Sequence, residues 1–131
     1  MRLLLDTHVA LWAVAKTGAL TEAVRNMIAD PVNEVWVSAV SVWEIAIKHA
    51  RGRGRPTDLG VSAAQALELF VGAGYALLDI KPGHAVAVET LPLIHGDPFD
   101  RLLVAQALTE PLRLITHDST MERYSDAFVY F

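Results

Sequence analysis

The sequence predicts an α/β domain, a parallel sheet with helices on both faces, and three observations carry that reading. Short apolar runs alternate along the chain with stretches of helical periodicity, the pattern left by βαβ units. The first run, Leu3-Leu4-Leu5, shows no polar alternation, as expected of a strand covered on both sides. Two of the runs are closed by an aspartate, Asp6 and Asp118, at the carboxyl end where sheets of this kind bind ligands.

Each element has a local reason. Arg2 to Asp6 is the first strand. A helix follows from Thr7 to Val14, with Val9, Trp12 and Ala13 on one face and Leu11 and Val14 widening it. Gly18 stops that helix, and Thr21 caps a second one running to about Ala29, before Asp30-Pro31. Glu34 to Val37 is the second strand. Residues Ser38 to Ser41 turn into a helix through Trp43, Glu44, Ile45 and Lys48, and a basic loop, Arg51-Gly52-Arg53-Gly54-Arg55-Pro56, follows it. Helix resumes from Ser62 to Val71, ended by Gly72 and Gly74, and Tyr75 to Ile80 is the third strand. Lys81-Pro82 opens a helix through Glu89 that stops near Pro92. Asp97 then caps a largely apolar helix, Phe99 to Leu108, with Pro98 at its first position and Asp100 at its third. Arg113 to Thr116 is the fourth strand, Ser119 to Tyr124 one or two helical turns, and Ala127 to Phe131 a fifth strand.

Bulk properties narrow the function. A chain of 131 residues, 53% hydrophobic and 20% charged, is read as a single domain, residues 1–131, with a sizeable core. It has no cysteine, which excludes disulfides, zinc–thiolate sites and thiol nucleophiles, and points to a reducing cytoplasm. No apolar run approaches the ~18 residues of a membrane span, and Met1-Arg2 leads straight into a strand without a signal peptide. A net charge of −4 argues against holding nucleic acid by general basicity, but not against holding it through a metal ion.

The chemistry lies in the carboxylates: Asp6, Glu44, Asp97, Asp100 and Asp118. Taken singly, Asp6, Asp97 and Asp118 read as helix caps, and Glu44 as the helical ion-pair partner of Lys48. Yet Glu44 stands among Trp43, Ile45 and Ile47, on a helix with little polar face, and Asp100 sits at the mouth of a core helix. Taken together, acids beside core elements form a hard-cation site suited to Mg²⁺ or Mn²⁺. His8, His49, His84, His95 and His117 are scattered and form no metal-binding pair, although His117 stands beside Asp118.

Four motifs then carry a resemblance: Leu4-Leu5-Asp6-Thr7-His8, Val37 to Ile45, His95-Gly96-Asp97-Pro98-Phe99-Asp100-Arg101-Leu102-Leu103, and Leu114-Ile115-Thr116-His117-Asp118. In this order and spacing the chain resembles a PIN-domain ribonuclease, and more closely a VapC-type toxin of a bacterial toxin–antitoxin pair. The resemblance implies a sheet in the order 3-2-1-4-5, with Asp6 and Asp118 on neighbouring strands. It implies a Mg²⁺- or Mn²⁺-dependent endoribonuclease whose four acids are Asp6, Glu44, Asp100 and Asp118, with Thr116 as an accompanying hydroxyl. Asp6 and Asp100 would be the main ligands and Asp118 the next, with Glu44 binding a second ion or orienting water. It further implies a homodimeric toxin and a cognate antitoxin whose C-terminal segment lies across it; an arginine of that segment could plug the acids, and the apolar first helices, with Leu11, Trp12 and Val14, are the expected docking surface. Asp97 is expected to be a cap, and Arg101 a partner of the acids or a phosphate contact. The basic residues Lys48, His49, Arg51, Arg53 and Arg55 form either a solvated loop or an RNA backbone contact. Two rival functions stand beside this one. An aspartyl phosphatase of the haloacid-dehalogenase kind needs a second acid two residues after the first, where this chain has His8. The other is a non-catalytic interaction domain whose acids only cap helices.

Overall fold

The computed structural model describes residues 1–52 and 59–131. Its elements are β1 (Arg2–Leu5), α1 (Thr7–Ala15), α2 (Glu22–Ala29), β2 (Glu34–Ser38), α3 (Ala39–Gly52), α4 (Ala63–Gly72), β3 (Ala76–Leu78), α5 (Pro82–Val88), α6 (Pro98–Thr109), β4 (Arg113–Thr116), α7 (Ser119–Glu122) and β5 (Val129–Tyr130). The five strands form one parallel sheet in the order β3-β2-β1-β4-β5, the order that the family resemblance implies.

β1 is central, and its side chains divide between two cores. Leu3 and Leu5 point into one with Val9, Val37, Phe70 and Ile115. Leu4 points into the other with Val40, Leu103, Val104 and Leu114. This explains the unbroken apolar run, because a strand buried on both faces has no outward position for a polar residue. Each fully buried leucine contributes roughly 2 kcal/mol of transfer free energy. That is enough for the pairing of β1 between β2 and β4 to be strongly determined.

Chain order reverses on either side of β1: β2 and β3 lie to one side, β4 and β5 to the other. The crevice beyond the carboxyl ends of β1 and β4 is therefore the topological switch point. A buried tie sets the two helices that flank it. Ser38 Oγ, at the end of β2, donates to Gln106 Oε1 of α6 at 2.5 Å and accepts the Val40 amide at 3.0 Å. The start of α3 is thereby fixed against the middle of α6.

Several boundaries differ from the sequence reading. β2 passes directly into α3 without an intervening turn, and Ser38 Oγ accepts the Val40 amide in the first turn of the helix. α3 runs on to Gly52, so Arg51 lies in its last turn and not in a loop. Arg53 and Arg55 lie outside the described residues. β3 and β5 are shorter than the apolar runs around them: only Ala76 to Leu78 pair with β2, and only Val129 and Tyr130 with β4. Among the described residues no helix is long and apolar enough to cross a membrane.

Candidate functional site

Two strand ends and two helix starts meet at the switch point. The β1–β4 ladder continues one residue past β1, where the Asp6 amide donates to the Ile115 carbonyl at 3.1 Å. Asp6 then caps α1 with one oxygen, Oδ1 accepting the Val9 amide at 3.0 Å, and turns Oδ2 to the Thr116 hydroxyl at 2.6 Å. Thr116 Oγ1 also accepts the Asp118 amide at 3.0 Å. Asp118 repeats the pattern, capping α7 through Oδ1 and the Thr120 amide at 2.8 Å while Oδ2 faces His95. Capping therefore occupies only one oxygen of each aspartate, and the other is left to a side chain, Thr116 or His95.

The remaining acids come from α3 and α6. Glu44 is 4% exposed; Oε1 accepts from Thr7 Oγ1 at 2.7 Å, and Oε2 pairs with Lys48 Nζ at 2.5 Å. Thr7 also lies 2.9 Å from Ser41 Oγ. The expected Glu44–Lys48 pair does form, but beside the crevice and not on a solvated face. Asp97 caps α6, taking the amides of Phe99 and Asp100 on Oδ1 at 2.8 and 3.2 Å. This leaves the Asp100 side chain free of capping duty, and it faces His95 Nε2 at 3.2 Å.

His95 is the residue that the sequence reading set apart from the acids and that the structure puts among them. Its Nδ1 accepts the Asp97 amide at 3.0 Å. A ring nitrogen that accepts carries no proton, so the neutral ring bears its proton on Nε2. That N–H is directed at Asp118 Oδ2, 2.8 Å away, and at Asp100 Oδ2. The loop carrying it is braced from behind by the hydroxyl of Tyr124, which accepts the His95 amide at 2.8 Å. Arg101 belongs to the same brace. It donates to the carbonyls of Pro92 and Val88 at 3.0 and 3.1 Å and to Tyr124 at 3.2 Å. The expectation that Arg101 partners the acids is corrected, because its guanidinium is spent on bracing this loop through the Pro92 and Val88 carbonyls and the Tyr124 hydroxyl. The sequence signal for His95 was its place in the turn of the Asp97 cap, two residues before it.

Together Asp6, Thr7, His8, Glu44, Lys48, Asp97, Asp100, Asp118 and Met121 line a cleft of about 240 Å³. Among the described residues, His95, Asp100 and Asp118 each offer a ligand-type atom, all within 4.8 Å of one another. Asp6 and Glu44 line the same cleft outside that group. The electrostatics are those of crowded acids. Burial raises the Asp100 carboxyl to about 7, the neighbouring charges of Asp97, Glu44 and Asp6 add to the rise, and His95 opposes it. Burial also raises Asp6, against the pull of Thr116 and the Val9 amide. At Asp118, burial pushes the carboxyl up, but donation from His95 and the Thr120 amide outweighs it and leaves the group more acidic than usual. Lys48 is the one lysine or arginine among the described residues lining the cleft. Such a set, rich in carboxylate oxygen and short of positive charge, fits a hard divalent cation.

A parallel sheet in this strand order, with acids gathered at its switch point, defines an α/β protein with an acidic crevice. Its residues 3–127 match the PIN domain model, and the chain belongs to the PIN-domain family. It is 32% identical over 122 residues to Ribonuclease VapC22 of Mycobacterium tuberculosis, across 92% of this chain and 90% of that protein. In fold it is similar to VapBC2 from Rickettsia felis, solved bound to a promoter DNA fragment, with a TM-score of 0.69 at 16% identity over 100% of this chain and 98% of that one. It is also similar to FitAcB from Neisseria gonorrhoeae, with a TM-score of 0.63 at 18% identity over 98% and 96%.

Proposed function

We propose that this chain is a divalent-metal-dependent endoribonuclease and the toxin of a toxin–antitoxin pair, folded as one domain over residues 1–131. The observation that carries the reading is the cleft, in which Asp6, Glu44, Asp100 and Asp118 converge with little compensating charge. The ribonuclease relative and the fold neighbours solved as VapBC complexes point the same way.

Asp100 and Asp118 at the mouth, with Asp6 behind them, would hold Mg²⁺ or Mn²⁺. Such an ion would supply the chemistry of activating water toward a phosphodiester and offsetting the negative charge that develops on it. Thr116 keeps Asp6 oriented, and its acceptance of the Asp118 amide locks the two strand ends together. Glu44, held by Thr7 and Lys48, orients the attacking water through its carboxylate. His95 acts as a neutral donor that keeps Asp100 and Asp118 aimed at a common point. Lys48, and Arg51 at the end of α3, supply positive charge for the RNA backbone. An antitoxin segment would take the groove of about 430 Å³ beside α1 and α2, lined by Trp12, Leu20, Ile28 and Tyr75, with Lys16 and Arg25 among its walls.

The test is cleavage of single-stranded RNA by the purified chain freed of any partner. Cutting in Mn²⁺ or Mg²⁺ that stops on adding EDTA is the expected result. Mn²⁺ should also raise the melting temperature by roughly 5 °C at about a hundredfold excess over its Kd. A chain that cuts no RNA with either ion, and melts identically with and without them, sinks the proposal.

A further inference from the structure

Outside the carboxylate cluster, the molecule gathers rings. His8 and Trp12, one turn apart on α1, have centroids 5.9 Å apart. Trp12 meets His117 edge-on at 5.5 Å and Phe131 at 6.4 Å. His117 lies 5.0 Å from Phe131 and is nearly parallel to Tyr130, 21° between planes at 6.2 Å. The His117 ring is held in place by donation from Nδ1 to the Phe131 carbonyl.

The row lies at the edge of the core: Trp12 and Phe131 are half-buried against it, and the other three rings face outward. His8 and His117 are exposed, and Tyr130 is 45% exposed. Its position follows from the topology, because α1, the β4–α7 turn and the end of β5 all reach the carboxyl edge of the sheet. One end of the row is part of the cleft, since His8 lines it alongside Asp6, Asp100 and Asp118. The other end runs away from the cleft across His117, the residue directly before Asp118.

We propose that the rings from His8 to Tyr130 are a stacking platform for unpaired RNA bases flanking the phosphate in the cleft. The inference rests on the nuclease reading and adds how the substrate is gripped. A chain with net charge −4 gains little from backbone attraction, and the cleft itself repels phosphate. Stacking on π-faces supplies affinity independent of charge, and bases paired in a duplex cannot reach the rings. The occupant is RNA and not a polypeptide because the row continues into the cleft.

The test is fluorescence anisotropy in EDTA, where no cleavage intervenes. The probes are a labelled eight-nucleotide oligoadenylate, its duplex with oligouridylate, and an abasic ribose-phosphate strand of equal length. Wild type should bind the single-stranded oligoadenylate more tightly than either of the others. His8→Ala and His117→Ala, at exposed positions, should each weaken that binding about five- to tenfold and leave the abasic strand unaffected. His8→Phe keeps a ring and should keep the affinity. Equal binding of oligoadenylate and abasic strand, undetectable binding of both, or ring variants that bind like wild type overturns the platform. So do variants that bind oligoadenylate normally but no longer bind a polypeptide partner, which would make the row a protein interface. Cleavage assayed separately in Mn²⁺ distinguishes the two readings: ring variants that bind like wild type overturn the platform while wild type still cuts RNA, whereas a wild type that never cuts RNA removes the nuclease reading itself.

Discussion

The β1–α1 turn and the β4–α7 turn are built from the same local rule and yield opposite acids. In each, an apolar strand ends in an aspartate whose Oδ1 caps the following helix and whose Oδ2 is left for the cleft. Asp6 is 7% exposed, with a hydroxyl as its partner, and its carboxyl is raised by burial. The Asp118 side chain is 38% exposed, with an imidazole N–H as its partner, and its carboxyl is lowered. Backbone grammar places a carboxylate; depth and the neighbouring donor decide its acid strength. On the proposed function, a cation held between these two groups would meet one that is readily ionised and one that ionises most readily when the cation arrives.

The comparison breaks most visibly in activity. Asn caps a helix as well as Asp does, so Asp6→Asn and Asp118→Asn keep both turns while removing both charges. Each should cut RNA at least about a hundredfold more slowly, with unchanged circular dichroism. Variants as active as wild type would reduce both residues to caps.

The two directions of pKa shift also predict separate pH windows for the stability of the metal-free protein. Asp100, held at about 7, binds a proton in the folded state that the unfolded chain has already released. Its contribution is therefore largest below the ordinary carboxylate pKa and is lost as pH rises toward 7; Asp6 acts with the same sign. Asp118 has the opposite sign: its contribution is present above the ordinary pKa and lost as pH falls through its lowered value. In EDTA, wild type should lose melting temperature between pH 5 and 8 relative to Asp100→Asn, by several degrees. Parallel melting curves across that range would show that Asp100 is not strained.

The smallest effect sharpens the contrast directly. His95→Ala removes the donor that distinguishes Asp118 from Asp6, so the Asp118 carboxyl should titrate higher, toward the ordinary range, while Asp6 stays where it is. Carbon-13 NMR titration of the side-chain carboxyls reads both at once. An unmoved Asp118 would assign its acidity to the α7 cap alone.

What was legible in the sequence follows the range of the interactions. Strand order was read from the family resemblance, and the two-sided burial of β1 was plain in Leu3-Leu4-Leu5. The placing of Asp6, Asp97 and Asp118 needed only the strand-to-helix turn beside each. His95 and Arg101 were misread because their partners lie across a loop whose path is set by Tyr124, over twenty residues away in sequence. The burial of Glu44 was signalled by Trp43, Ile45 and Ile47 around it, but helical spacing fixes its pairing with Lys48 and not which neighbour covers it.

The bond from Thr116 to Asp6 spans 110 residues of chain. During synthesis, β1 with Asp6 leaves the ribosome long before β4, and at ~5–20 residues per second the interval is several seconds. Throughout that interval the nascent chain has Asp6 without Thr116 and lacks Asp118 altogether. The cleft closes only when β4 docks beside β1, so a chain released early carries no assembled site. A protein that threatens RNA would thus leave its own messenger and ribosome untouched until its last strands are in place.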